Sequence, residues 1–197
     1  MSRIARFAVL VTALMSLFAV MSSTAGAVTW HNSGDTNFHA TGGPGTLSIG
    51  ANNLACSGST ATGDAPLGST VITNYLVRGT VTFSPCTLAG QATTVGCEYT
   101  LTAISQSGSV TSGVADVTCV ARLTASGTGL CHIAGSTGGQ YTNPTATTTP
   151  GKVTLFASST LVVTNSTANC PLGTGNGNLT EQTITFTHRG PILTRTA

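Results

Sequence analysis

Beyond residue 27 the apolar positions alternate with polar ones and show no helical spacing. Tyr75, Val77, Val81 and Phe83 share one parity, as do Val95, Cys97, Tyr99, Leu101 and Ala103 in the next run. A period of two marks a strand with one buried face, and Gly, Pro, Asn and Ser punctuate the runs at short intervals. A hairpin centred near Ala89 sets Phe83 against Val95 and Val77 against Leu101. That register does not bring Cys86 opposite Cys97. Either a bulge at Pro85 shifts the ladder or these cysteines have other partners.

The following unit alternates Ala115, Val117, Cys119, Ala121 and Leu123 with Asp116, Thr118, Val120 and Arg122. After a turn at Ser126-Gly127, the residues Gly129, Cys131 and Ile133 share a face. Setting Cys119 against Cys131 also sets Val117 against Ile133, so core face meets core face and Cys119–Cys131 is the favoured disulfide. Val153, Leu155, Ala157, Leu161 and Val163 give a further strand or two. In the last clear strand Ile184 and Phe186 point in, while Thr183, Thr185 and Thr187 point out. Residues 28–44 read as irregular, and 50–69, 135–151 and 164–178 as loops. The expected fold is all-β: an antiparallel two-sheet sandwich of about eight strands.

One apolar run has another character. Phe7 to Val20 follows Arg3 and Arg6 and precedes Ala25-Gly26-Ala27. A basic start, an apolar middle and an A-x-A site predict a secretory signal peptide, residues 1–27, cut before Val28. The run falls short of the ~20 residues of a membrane span. Residues 28–197 are then expected to form a single all-β domain, without a membrane anchor after cleavage.

Charge excludes some partners. After Ala27 five basic residues (Arg78, Arg122, Lys152, Arg189, Arg195) balance five acidic ones (Asp35, Asp64, Glu98, Asp116, Glu181). With no basic cluster, neither nucleic acid nor an anionic membrane surface is an expected partner. Threonine supplies 36 of the 170 residues after Ala27. It suits a pleated surface and wets an outer face without charge, so it is assigned to the solvent side of the strands.

Six cysteines, Cys56, Cys86, Cys97, Cys119, Cys131 and Cys170, in an exported chain predict three disulfides and an oxidising compartment. Apart from Cys119–Cys131 the pairing is left open. No C-x-x-C pair occurs, so no zinc site is expected.

The remaining chemistry is sparse. His31 and His39, with Asp35 between them, are weak metal candidates, since no third ligand fixes a geometry; no metal and no cofactor are expected. His132 is placed outward, opposite Thr118, and His188 shares parity with Ile184 and Phe186 at a strand end. No G-x-S-x-G occurs, and the acidic residues are scattered singletons, so no catalytic residue is assigned. Trp30, Phe38 and Tyr141 fall in predicted loops. They are the candidate ligand-binding aromatics, the competing role of Trp30 and Phe38 being to plug one end of the sandwich.

A single Lys, the Thr/Gly/Ser-rich chain after the leader and the phrase Thr82-Phe83-Ser84-Pro85-Cys86-Thr87 resemble secreted proteins of actinobacteria that have no assigned activity. The resemblance is one of style across most of the exported chain. It implies an extracellular or cell-envelope protein and transfers no functional residue. The expected function is a secreted or cell-envelope, non-catalytic structural or binding protein, with a cell-wall or extracellular polymer as the partner considered. The alternative is an extracellular hydrolase with a site assembled from distant loops.

Overall fold

The computed structural model describes residues 28–65, 68–71, 77–145, 149–166 and 169–196. The signal peptide assigned to 1–27 and the core position assigned to Tyr75 lie outside the described residues. Fifteen strands form among the described ones: β1 (Thr29–Asn32), β2 (Asn37–Gly42), β3 (Gly45–Ile49), β4 (Asn52–Cys56), β5 (Ser59–Asp64), β6 (Gly68–Val71), β7 (Val77–Leu88), β8 (Gln91–Ser107), β9 (Val110–Leu123), β10 (Gly129–Thr142), β11 (Lys152–Leu155), β12 (Ser158–Asn165), β13 (Gly175–Leu179), β14 (Gln182–Phe186) and β15 (Leu193–Thr196).

Twelve of them make one antiparallel sheet that closes on itself. The four long strands β7–β8–β9–β10 pair in chain order. Toward one end the ring is completed through β11, β14, β2 and β5. Toward the other it is completed through β12, β13, β3 and β4. Each short pair thus reads as one strand with a break, and the result is an up-and-down barrel eight strands around.

The expected two-sheet sandwich is therefore corrected to a closed sheet. Inward alternation is the same in both architectures. The choice rests on the pairing of first and last barrel strands, Ala40 with Phe186 and Ser48 with Asn178. Closure also removes the exposed edges that an uncharged, Thr-rich sheet would otherwise offer to other chains.

The inner and outer faces follow from the sequence. The register sets Phe83 against Val95 and Val77 against Leu101, as expected. The turn is Ala89-Gly90, both residues at positive φ (50° and 76°), as a tight two-residue hairpin of this twist requires. Ala61, Val81, Cys97, Cys119, Ile133 and Val163 follow one another around the wall on five adjacent strand pairings and are all buried. Threonines 41, 60, 62, 80, 82, 118, 183, 185 and 187 are exposed on the outside. Segments 28–44, 50–69 and 164–178, expected to be irregular, contain β1, β2, β4, β5, β6 and β13. Beside Trp30, Phe38 and Leu54, their inward positions include small residues such as Ala40, Ala61 and Gly177, which leave only a faint alternation.

A belt of breaks crosses five neighbouring strand positions at one level: Phe156-Ala157, Thr180-Glu181, Gly43-Pro44, Ser57-Gly58 and Ser84-Pro85. They abut one another. Ser57 N–H donates to Pro85 O (3.0 Å), Ser84 N–H to Gly58 O (3.1 Å), Gly43 N–H to Thr183 O (3.4 Å) and Thr180 N–H to Thr46 O (3.0 Å). At the two edges of the belt the register shifts, between Phe83 and Cys86 and between Ser158 and Leu161, and such irregularities bend and further twist the strands that carry them. The buried Gln182 serves the belt: its Nε2 donates to Thr180 O (3.3 Å) and Glu181 O (3.0 Å). Gly45 leaves the space for that amide, since a Cβ there would fall 2.5 Å from Gln182 Oε1.

The two barrel ends are closed differently. At one, the disulfide end, the turns at 50–51, 89–90 and 124–128 meet the segment around Cys170, whose Leu172 is fully buried. At the other, the cap end, β15, β1 and β6 form a separate three-stranded sheet. The cap pairs Trp30 with Arg195 and with Thr70.

The disulfides are Cys56–Cys86, Cys97–Cys119 and Cys131–Cys170. All six cysteines are paired and buried. The favoured Cys119–Cys131 pair is thus corrected. The β9–β10 ladder runs two residues off the expected register, with an irregularity of one residue between Gly129 and Cys131, so Cys119 faces Ile133 and Cys131 faces Ala121. A slip of two keeps every side chain on its face. The alternation could not detect it. At Cys86 both expected options hold, a bulge at Ser84-Pro85 and other partners. Three disulfides fit an oxidising extracellular setting, and among the described residues no helix is long and apolar enough to cross a membrane.

Candidate binding cavity

Small side chains on the inner face leave the barrel incompletely filled. Ala103, Ala115, Gly113 and Gly139 occupy inward positions on β8, β9 and β10, where larger residues would meet across the axis. The result is an interior cavity of about 150 Å³ whose wall is almost wholly apolar. An eight-stranded barrel is at the size where side chains either fill the interior or leave room for one small molecule. A void of this volume costs about 3–4 kcal/mol at ~24 cal/mol per Å³ if nothing occupies it.

Polar side chains in the wall are turned to the protein. Thr137 Oγ1 donates to Phe156 O (3.0 Å), and Thr111 Oγ1 accepts from Gln106 Nε2 (3.2 Å). Tyr141 donates its phenol proton to Pro191 O. Burial, and secondarily the nearby Asp35 carboxylate, push the Tyr141 phenol well above its ordinary pKa. Burial, then Asp64, do the same to Tyr99. Both phenols therefore stay neutral across the physiological range.

The three candidate aromatics are buried, and all lie in strands rather than loops. Phe38 and Tyr141 line the cavity near the cap. Each packs edge-on against Phe186, at ring-centroid distances of 4.8 and 5.6 Å. Trp30, 1% exposed, sits in the cap sheet, and its Nε1 has no hydrogen-bond partner among the described residues. None of the three presents an open ring to solvent.

The weak metal candidates are placed apart: His31 on the cap strand β1 and His39 on the outer face of β2. Among the described residues no three His, Cys, Asp or Glu side chains come together as a metal site. His132 lies opposite Val120, not Thr118, because of the same ladder shift. His188 is exposed, not at a buried rim. Its strand ends at Phe186, so parity no longer governs it.

The outer face of β5 and β7–β10 carries a second, shallow hollow of about 600 Å³. Asp64, Arg78, Thr100, Asp116 and Ser136 stand in one row across it, and Glu98 in the next. Arg78 Nε is 3.1 Å from Asp64 Oδ1, and Ser136 Oγ donates to Asp116 Oδ1 at 2.5 Å. A serine beside a carboxylate lacks the base of a triad. The histidine on the same strand face, His132, is four residues from Ser136, about 13 Å along the strand.

No family model, no curated protein and no solved structure matches this chain. The cavity wall was not singled out from the sequence. The signal that could have found it is the set of small residues at inward parity, Ala103, Gly113, Ala115 and Gly139, which are too small to fill a core from both sides.

Proposed function

We propose that this chain is an exported, non-catalytic binding protein that holds a small apolar molecule inside its barrel, with residues 28–197 acting as one unit. The supporting observation is the apolar cavity at the centre of an otherwise well-buried core. An empty space of that size lowers stability by several kcal/mol, and an occupant that restores contacts with its wall offsets the loss. A binding role for a cell-wall or extracellular polymer has less behind it, because Trp30, Phe38 and Tyr141 are buried. The test is native against denaturing mass spectrometry of protein secreted by its own host. An organic molecule that stays with the folded chain and leaves on unfolding is expected. Folded protein that carries nothing, and takes up no apolar probe, overturns the reading.

The hydrolase alternative has one observation in its favour. Glu98 and Asp116 are diagonal neighbours across β8 and β9 over the outer hollow. Such positions lie about 7–8 Å apart, within the range of paired glycosidase carboxylates. Polysaccharide cleavage by the secreted protein, abolished by Glu98→Gln and by Asp116→Asn, would put this alternative first.

A further inference from the structure

If the interior is a binding site, as proposed above, its shape and wall say what it binds. Wall residues run from Val95 to Ala103 on β8, from Thr111 to Cys119 on β9 and from Ile133 to Tyr141 on β10. Eight residue steps at the strand tilt of a small barrel span about 20 Å along its axis. The centres of water-sized spheres have about 150 Å³ to move in; averaged over that length this is about 7 Å² across, and adding the sphere's own radius of about 1.4 Å on every side makes the space roughly 6 Å wide. Averaged in this way, the space is long and about as wide as a single alkyl chain.

The wall contains no Asp, Glu, Lys, Arg or His. Its polar groups Thr137, Tyr141 and Gln182 donate to protein carbonyls. A charged group drawn inside would lose its hydration and meet no opposite charge. At the disulfide end, among the described residues, Leu88, Cys131 and Leu172 are fully buried and Cys131–Cys170 ties the covering segment down. At the cap end the cavity runs up to Pro191 and Leu193, buried residues that none of the three disulfides ties down.

We propose that the barrel takes up a single unbranched alkyl chain, threaded from the cap end along the axis, with its polar head left at the cap. A file of methylene groups matches the width of the space, whereas a cage or fused ring does not.

The test uses the secreted protein with its disulfides intact and two alcohols of ten carbons each, 1-decanol and 1-adamantanol, titrated calorimetrically. Xenon uptake, followed by NMR, serves as a probe that asks only for apolar room. 1-Decanol is expected to bind at least tenfold more tightly than 1-adamantanol. Ala103→Leu and Ala115→Leu, which push a branched side chain into the file, are expected to weaken 1-decanol at least tenfold. Thermal unfolding verifies that they fold, and Ala115→Val replaces a variant that does not. Equal binding of the two alcohols, or 1-decanol binding untouched in the folded Ala variants, overturns the alkyl-chain assignment. So does xenon uptake without 1-decanol binding, which leaves the cavity reading standing. Absence of xenon uptake removes both.

Discussion

The two ends of the barrel solve the same problem with different chemistry. All three disulfides lie in one half, and the residues beneath the turns there, Leu88, Thr93, Cys131 and Leu172, are packed without reaching the cavity. The other half has no covalent tie. Its cover, the segment through Pro191 and Leu193, is clamped by side-chain amides. Asn143 donates Nδ2–H to Leu193 O (2.7 Å) and accepts from Leu193 N–H (2.9 Å). Gln106 donates to the same oxygen (2.7 Å) and accepts from Arg195 N–H (2.8 Å). Asn32 Oδ1 accepts from Ile192 N–H (3.1 Å). A cross-link acts largely on the unfolded chain and holds its end shut at all times. Hydrogen bonds of about 1 kcal/mol each can open and reclose as a group without unfolding the rest. The difference teaches where a molecule has to pass if the interior is to be filled: through the end whose cover is reversible.

The largest expected effect tests the covalent end. Replacing both Cys131 and Cys170 by Ala should cost about 4 kcal/mol, since the bridge closes the longest loop of the three, 39 residues. Denaturant titration measures it. A loss under 1 kcal/mol would mean that packing of Leu172, not the bridge, secures this end. Asn143→Ala should cost about 2 kcal/mol, because it strips a buried N–H of its acceptor while Gln106 still serves Leu193 O. Hydrogen exchange should speed up at the cap and not around Cys131. If exchange rises equally at both ends, the cap is not an independent unit and the contrast fails.

A third effect appears only in alkali. The folded phenols of Tyr99 and Tyr141 are raised, chiefly by burial. Below the unfolded value of about 10 both states are neutral and these groups contribute nothing to pH dependence. Above it the unfolded chain ionises first, so stability falls as pH rises. Ultraviolet titration should show two phenols that ionise only as the protein unfolds. Their titration near the ordinary value in folded protein would mean that the cap admits water to Tyr141. The smallest effect is at the exposed rim of the cap. His188→Ala should stay within about 0.5 kcal/mol. A larger loss would restore the buried-rim position that strand parity suggested.

Individual residues show how much of this was legible. Val77, Val81, Phe83 and Val95 announced their faces and their register, because large apolar side chains alternate against threonine and glutamate. Ala40, Ala61 and Gly177 did not, because a small inward residue differs little in hydropathy from a small outward one. The cavity was hidden for the same reason: it is built from side chains that are missing, and only the geometry of the ring shows that nothing fills the space between them.

The sequence by itself determined the all-β class, the direction of most side chains, the threonine coat and the number of cysteines available for bridges. These depend on local alternation and composition, which a period of two transmits faithfully. Tertiary structure alone decided that the sheet closes, that Cys119 pairs with Cys97 and not Cys131, and that Trp30, Phe38 and Tyr141 turn inward. Closure depends on β14 meeting β2, a contact across some 140 residues whose entropy cost and reward are invisible locally. The disulfide choice turned on a two-residue slip that leaves every face unchanged, so no hydrophobic pattern could select between the registers.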